Sequence, residues 1–238
     1  MPPSLLEFSE GTAEPMIGLV RGAFMRALAE ESSLDPAVLQ ITGMSGKKYR
    51  MFINNLAGSM PNARYLEVGS WAGSTLCAAI NGCAIQATAI DNWSQFGGPK
   101  ETFLGNVARF RTREASVSFI ESDFREVDYR AIGLFNIYLF DGPHEMQDQY
   151  DGLAYAMPAL DRKFVLVIDD WNWPNVRQGT LSAIRELRLS MLYSMQIRTT
   201  LDDTHPAVAS EHSDWHNGYF ISVMQQAALP PRAGTLIA

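Results

Sequence analysis

From residue 63 onward the chain alternates short apolar runs with stretches in which apolar residues return at helical spacing. Runs at 64–68, 85–90, 116–120, 135–140 and 164–168 predict strands, with helices opening near Ser74, Pro99, Arg125, Pro143 and Pro174. Strands alternating with helices in this way predict a parallel sheet covered on both faces. At Pro143 and Pro174 the missing N–H falls in a first helical turn, where it has no partner to lose. Upstream, residues 14–31 place Met16, Ile17, Leu19, Val20, Phe24, Met25 and Leu28 on one helical face. A second helix is expected over 46–56, after Thr42-Gly43-Met44-Ser45 as a capping turn. Runs at 191–199 and 218–224 flank a polar loop and predict a closing hairpin-like pair. The expected organisation is an N-terminal helical extension over 1–62, one α/β domain over 63–225 and a loose tail over 226–238.

The turn after the first strand carries the most information. Glu67-Val68-Gly69-Ser70-Trp71-Ala72-Gly73-Ser74 takes an apolar strand through two glycines into a helix. Glycine lets the backbone turn tightly and come close to a ligand, while the first N–H groups of the helix face whatever binds. The next strand ends in Asp91, one βαβ step further on, where an acid can accept both hydroxyls of a ribose. The third ends in Glu121-Ser122-Asp123. These positions predict an adenosine-bearing ligand. A dinucleotide is disfavoured, because Trp71 stands where the nicotinamide fingerprint needs its second glycine, and Glu67 would repel a diphosphate and suit a cation.

Glu67-x-Gly69-x-x-x-Gly73 resembles motif I of the class I S-adenosylmethionine-dependent methyltransferases, and Asp91 and Asp123 match that family's ribose and adenine acids in order. The resemblance implies a Rossmann-like α/β fold with a mostly parallel seven-stranded sheet, helices on both faces and the last strand antiparallel. It implies that Glu67, Gly69, Ser70, Gly73 and Ser74 surround the methionine end of the cofactor, that Asp91 takes the ribose and that Asp123 takes the adenine amine. Trp93 is placed either to stack on adenine or to fill the core.

Acids also gather after the fourth and fifth strands, in Asp141-Gly142-Pro143-His144 and Asp169-Asp170-Trp171-Asn172. Like charges converging at one sheet edge raise one another's pKa unless a cation intervenes, and a divalent ion with oxygen ligands is the natural counter-charge. The arrangement resembles the metal-dependent O-methyltransferases, more closely the macrocin type than the catechol and caffeoyl types. It implies magnesium held by Asp141, Asp169 and Asp170. Two positions depart from those families: His144 stands where the catechol enzymes often carry lysine, and Pro143 where the macrocin type carries an acid. His144 is either the general base for a substrate hydroxyl, with Asp141 as the alternative, or a surface residue at a helix start. Asp141, and Asp170 or Asn172, could instead cap the helices that follow, which would leave Asp169 without a role.

The balance of 19 basic to 26 acidic residues, a formal charge of -7, and the lack of any Lys/Arg-rich block argue against nucleic acid as a partner. Lys47, Lys48 and Arg50 read as a solvated helix face. Cys77 and Cys83 read as buried thiols of a reducing compartment. The N-terminus lacks a basic n-region and no apolar run reaches membrane length, so a cytoplasmic protein is expected. His212-x-x-x-His216 lacks the glutamate of a zinc helix, and its loop is expected to line a substrate or to face solvent. Trp171 and Trp173 are expected to wall the acceptor or to pack in the core. The implied activity is methyl transfer from S-adenosylmethionine to a small-molecule hydroxyl, assisted by Mg2+. A non-catalytic S-adenosylmethionine-binding protein and a metal-independent enzyme for an amine or carboxylate are the rivals, with homo-oligomer formation left open.

Overall fold

The computed structural model describes residues 4–11 and 13–227; most of the tail expected over 226–238 lies outside them. Eight strands among the described residues form one sheet: β1 (Leu5–Phe8), β2 (Ala63–Val68), β3 (Ile85–Ile90), β4 (Ala115–Ile120), β5 (Phe135–Phe140), β6 (Leu160–Ile168), β7 (Ser190–Arg198) and β8 (Tyr219–Gln225). Their order is β1-β7-β8-β6-β5-β2-β3-β4. Strands β2 to β6 pair in parallel, and β8 lies antiparallel between β6 and β7. The chain steps outward from β2 to β4 and then returns to β5 on the other side of β2. That reversal opens a crevice at the carboxyl ends of β2 and β5, where ligands of such sheets bind.

Side-chain alternation divides the interior in two. In β2, Tyr65 faces one core, shared with Val165 and Val167 of β6. Leu66 and Val68 face the other, with Leu166 and Ile168. The first core is covered by α1 (Pro15–Leu28), α2 (Lys47–Ser59) and α3 (Ser74–Ile80), and Phe103 and Phe110 of α4 (Lys100–Phe110) join it. The second is covered by α5 (Met146–Ala156) and α6 (Pro174–Glu186). Helix α1 buries Ile17, Val20, Ala23, Phe24 and Ala27, a face one helical stripe wide, and leaves Met25 exposed.

Several expectations change. The sheet has eight strands and not seven, because Leu5–Phe8 pairs antiparallel with β7, so residues 1–62 supply a strand as well as helices. A four-residue edge strand with two exposed positions has too little alternation to be read from sequence. The helix expected near Arg125 is only a 3-10 turn, Phe124–Glu126. The helix expected at Pro143 begins at Met146, where Glu145 and Asp148 form a reciprocal cap, whereas Pro174 does open α6.

Burial assigns different weights to exposed and interior leucines. Leu166→Ala, in the centre of the sheet, is expected to lower unfolding free energy by roughly 2–5 kcal/mol, and Leu134→Ala, which is half exposed, by less than about 1 kcal/mol. Urea titration of both variants checks this, and equal losses would contradict the layer assignment.

Candidate active site

The end of β2 and the end of β5 touch at Gly69. Its backbone is left-handed (φ 85°), and a Cβ there would lie 1.8 Å from the carbonyl oxygen of Asp141. A side chain is therefore excluded twice, by conformation and by space. The ladder continues past the strands on both sides of this contact: Gly69 N–H donates to Ile90 O (2.9 Å) and Asp141 N–H donates to Val68 O (2.9 Å). Above it lies a cavity of about 350 Å³, lined at one end by Gly69, Trp71, Asp91, Phe96, Asp123 and Phe124, and at the other by Met44, Asp141, His144, Asp170, Trp173 and His216.

At the first end, both carboxylate oxygens of Asp91 are fixed by backbone donors, Oδ2 by Trp71 N–H (2.7 Å) and Oδ1 by Trp93 N–H (2.6 Å). Each oxygen retains acceptor capacity for a ligand hydroxyl. Asp123 lines the cavity while its Oδ1 accepts from Arg125 N–H (2.9 Å) at the head of the 3-10 turn. Trp93 does not line the cavity. Its ring packs between Phe103 (5.2 Å) and Phe119 (6.2 Å), and its Nε1 donates to Trp71 O (2.9 Å). The core alternative holds for Trp93, and the aromatic walls are Trp71, Phe96 and Phe124 instead.

The other glycine-loop residues sit behind the cavity wall. Gly73 caps α3 in the left-handed region (φ 82°). Ser74 is buried with Oγ 3.0 Å from Ser45 Oγ, and Ser70 is buried with an unpartnered hydroxyl. Glu67 is fully enclosed; Tyr65 donates its hydroxyl to Oε2, while Oε1 has no partner. Burial pushes the Glu67 carboxyl up to about 7, against the lowering pull of the Tyr65 hydrogen bond.

At the second end, Asp141, His144 and Asp170 each place one ligand atom within 4.8 Å of the others. Asp169 is not part of this group, contrary to expectation; its Oδ1 accepts the N–H of Asp170 (2.6 Å), and His144 stands in its place. Capping does not account for these acids. Helix α5 is capped by Glu145, and α6 receives no side-chain cap, its N-terminal position being Trp173. Burial, and then the neighbouring carboxylates, hold Asp141 and Asp169 well above the ordinary carboxylate range. Burial would raise Asp170 too, but His144, His216 and Asn217 outweigh it and hold that carboxyl below the usual value. His144 Nε2 lies 2.6 Å from Asp170 Oδ2. Asn217 Nδ2 donates to Oδ1 (2.7 Å).

The loop between β7 and β8 closes this end. His216 is buried, its Nδ1 accepts Ser210 N–H (2.9 Å), and burial lowers its pKa to about 4, so the ring is neutral with Nε2 protonated. His212 is exposed. Asn172 joins the end of β6 to this loop, donating to Thr199 Oγ1 (2.8 Å) and Asn217 Oδ1 (2.9 Å). Trp173 lines the cavity edge-on to His144 (4.8 Å), whereas Trp171 is buried and stacked on Phe220 (4.5 Å). Met44, Trp71, Phe96 and His205 were not singled out by sequence reasoning as lining residues. All four are in loops, where no periodicity marks which side faces inward. Six residues around the site, Trp71, Trp93, Phe96, Asp170, Ser210 and His216, have positive φ without being glycine, a concentration of backbone strain found at functional sites.

No family model matches the chain, and no curated protein matches it in sequence. Solved structures do. The cofactor-bound Rv0187 from MTB superposes with a TM-score of 0.55 at 14% identity, over 90% of this chain and 91% of that one. The SAH-bound methyltransferase PaMTH1 of Podospora anserina gives 0.51 at 10% identity, over 92% and 90%. This chain shares the Rossmann-like α/β fold of these structures. TrmN from Thermus thermophilus gives 0.50 at 14% identity, over 86% of this chain but 52% of TrmN, so the chain spans about half the length of that relative. Likeness at such identities carries the fold alone.

The Glu67 carboxyl provides a pH test. Its folded pKa exceeds the unfolded one, so the folded state binds the extra proton, and stability falls as pH rises from about 4.5 through about 7. Glu67→Gln removes that penalty, up to about 3 kcal/mol. The variant is expected to melt at the parent's temperature at pH 4.5 and above it at pH 8; a difference independent of pH would place Glu67 outside the titration.

Proposed function

We propose that this protein is an S-adenosylmethionine-dependent methyltransferase acting on a hydroxyl of a small molecule, assisted by a divalent cation such as Mg2+. One observation supports this most: a single cavity joins the Gly69–Asp91–Asp123 end to the Asp141–His144–Asp170 end. The residues present suit both groups. The Gly69 turn brings bare backbone to the cavity wall, and the carboxyls of Asp141 and Asp170, which repel each other's charge, favour a hard cation. In this reading 63–225 carries the chemistry and 1–62 adds cover, in a cytoplasmic protein. No helix among the described residues is long and apolar enough to cross a membrane, and both cysteines are free and buried.

Asp91 would hold the ribose, Asp123 the adenine amine, and the Gly69–Gly73 turn the methionine end of S-adenosylmethionine, which supplies an electrophilic methyl group. Asp141 and Asp170 would hold the cation, which supplies positive charge that favours loss of a hydroxyl proton. His144, on the open side of that pair, would accept the proton from the acceptor oxygen, and Trp173 and His216 would orient the acceptor ring. Transfer then needs mainly proximity and alignment. The cavity lining carries four aspartates and no Lys or Arg among the described residues, so a neutral or cationic acceptor fits better than a phosphate or nucleic acid.

Calorimetry is expected to show binding of S-adenosylhomocysteine and none of NAD, and Asp91→Ala is expected to weaken the former by about 1–3 kcal/mol. Binding to a protein that methylates nothing in a hydroxyl library would favour the non-catalytic reading, and turnover on amines or carboxylates without metal the other rival.

Mn2+ is expected to raise Tm in the parent and not in Asp170→Asn, because binding to the folded state alone stabilises it. His144→Ala is expected to keep the Mn2+ shift while kcat, followed as S-adenosylhomocysteine formed, falls roughly 100-fold. Loss of the shift would make His144 a ligand and not the base.

A further inference from the structure

Arg50 belongs to the helix face that sequence reasoning assigned to solvent, yet it is completely buried and makes no ion pair among the described residues. Its guanidinium is spent on one loop. Nη1 donates to Val38 O (3.1 Å) and Ile41 O (2.7 Å), Nη2 to Gly43 O (3.3 Å), and Nε to Ser45 Oγ (2.9 Å). The planar fork of arginine can satisfy these diverging acceptors together, which an ammonium group cannot do. Burying such a group costs stability unless every donor is used, so its retention points to a demand for geometry.

The segment it holds is part of the cavity roof. Met44 lines the cavity, between Gly43 and Ser45. Ser45 Oγ meets Ser74 Oγ at the start of α3, and a Cβ on Gly43 would lie 2.2 Å from that same Ser74 oxygen, so the loop rests on the helix that follows the glycine turn. Its other side is fastened to the loop between β7 and β8. Gly43 N–H donates to Glu211 Oε2 (3.3 Å), Lys47 N–H to Ser213 O (2.8 Å) and Tyr49 N–H to Asp214 O (3.1 Å). That second loop brings Ser210 and His216 to the cavity. Two segments about 170 residues apart in the chain thus form one roof, and the buried guanidinium fixes the half that contains Met44.

We infer that Arg50 is a positioning residue: it sets Met44 over the cavity and, through the contacts between the two loops, sets His216 and Ser210 as well, so that 41–47 and 209–217 move as one unit. This goes beyond the proposed methyl transfer and holds for any occupant of the cavity.

The test uses the full chain without ligand. Methionine-methyl 13C and histidine 15N spectra are recorded, with the Met44 signal assigned through Met44→Leu, together with amide hydrogen exchange. In Arg50→Lys the Met44 methyl and the His216 ring nitrogens are both expected to shift, the latter because the Ser210 N–H bond to Nδ1 is disturbed. Exchange over 41–47 and 209–217 is expected to rise about tenfold or more, while β2 and β3 keep their protection. Glu211→Ala, cut from the other side, is expected to move the same pair of signals, since coupling is reciprocal, and it decides the matter should Arg50→Lys fail to fold. A shift at Met44 with 209–217 unchanged would show two independent loops, and no change at either would reduce Arg50 to core filling; both overturn the inference.

Discussion

The close approach of Gly69 to the Asp141 carbonyl is the contact on which the site depends. It occurs where the chain reverses its direction of travel across the sheet, between β2 and β5, and it brings two strand ends with different chemistry into register. On the β2 side follow the glycine turn and the carboxylate of Asp91, locked by two backbone donors. On the β5 side follow Asp141 and, one strand further, Asp169 and Asp170. A methyl group there would push the strand ends apart, and the two ends of the cavity would cease to share a floor.

Electrostatics then separates acids that look alike in sequence. Asp141 and Asp169 resist ionisation because they are enclosed and face one another's charge, while Asp170 is held ionised by His144, His216 and Asn217. The cluster has no lysine or arginine contact among the described residues to balance it, and the cavity lining contains none. Ionising all three carboxyls in such a site is unfavourable, and a bound cation would relieve that cost. Strain in the backbone is concentrated in the same place, with Asp170 and His216 both at positive φ.

What could be read from the sequence was what depends on local pattern. The strand positions after residue 63, the glycine turn and the acids at strand ends follow from periodicity and from residue types next to turns, and the structure places Gly69, Asp91, Asp123, Asp141, His144 and Asp170 around one cavity. What was missed depends on contacts between distant segments. β1 exists because β7 offers it an edge. Arg50 looked solvated because nothing near it in sequence shows that four acceptors from 38–45 converge on it. Trp93 and Trp71 are equivalent by type and spacing, and only the turn geometry sends the first into the core and the second to the cavity. His144 takes the place expected of Asp169 because the ligand atoms of Asp141, His144 and Asp170 converge, while the Asp169 carboxylate is turned to the Asp170 N–H and to Asp141.

In the proposed function an adenosyl ligand and a divalent cation would occupy one cavity side by side, with the sulfur end of the ligand toward the metal. Paramagnetic relaxation by Mn2+ of the protons of bound S-adenosylhomocysteine tests it most directly. Strong relaxation of the methylene protons flanking sulfur and much weaker relaxation of the adenine protons are expected, both abolished in Asp170→Asn. Binding of the ligand with no relaxation from Mn2+, or with the adenine end relaxed most, would contradict it.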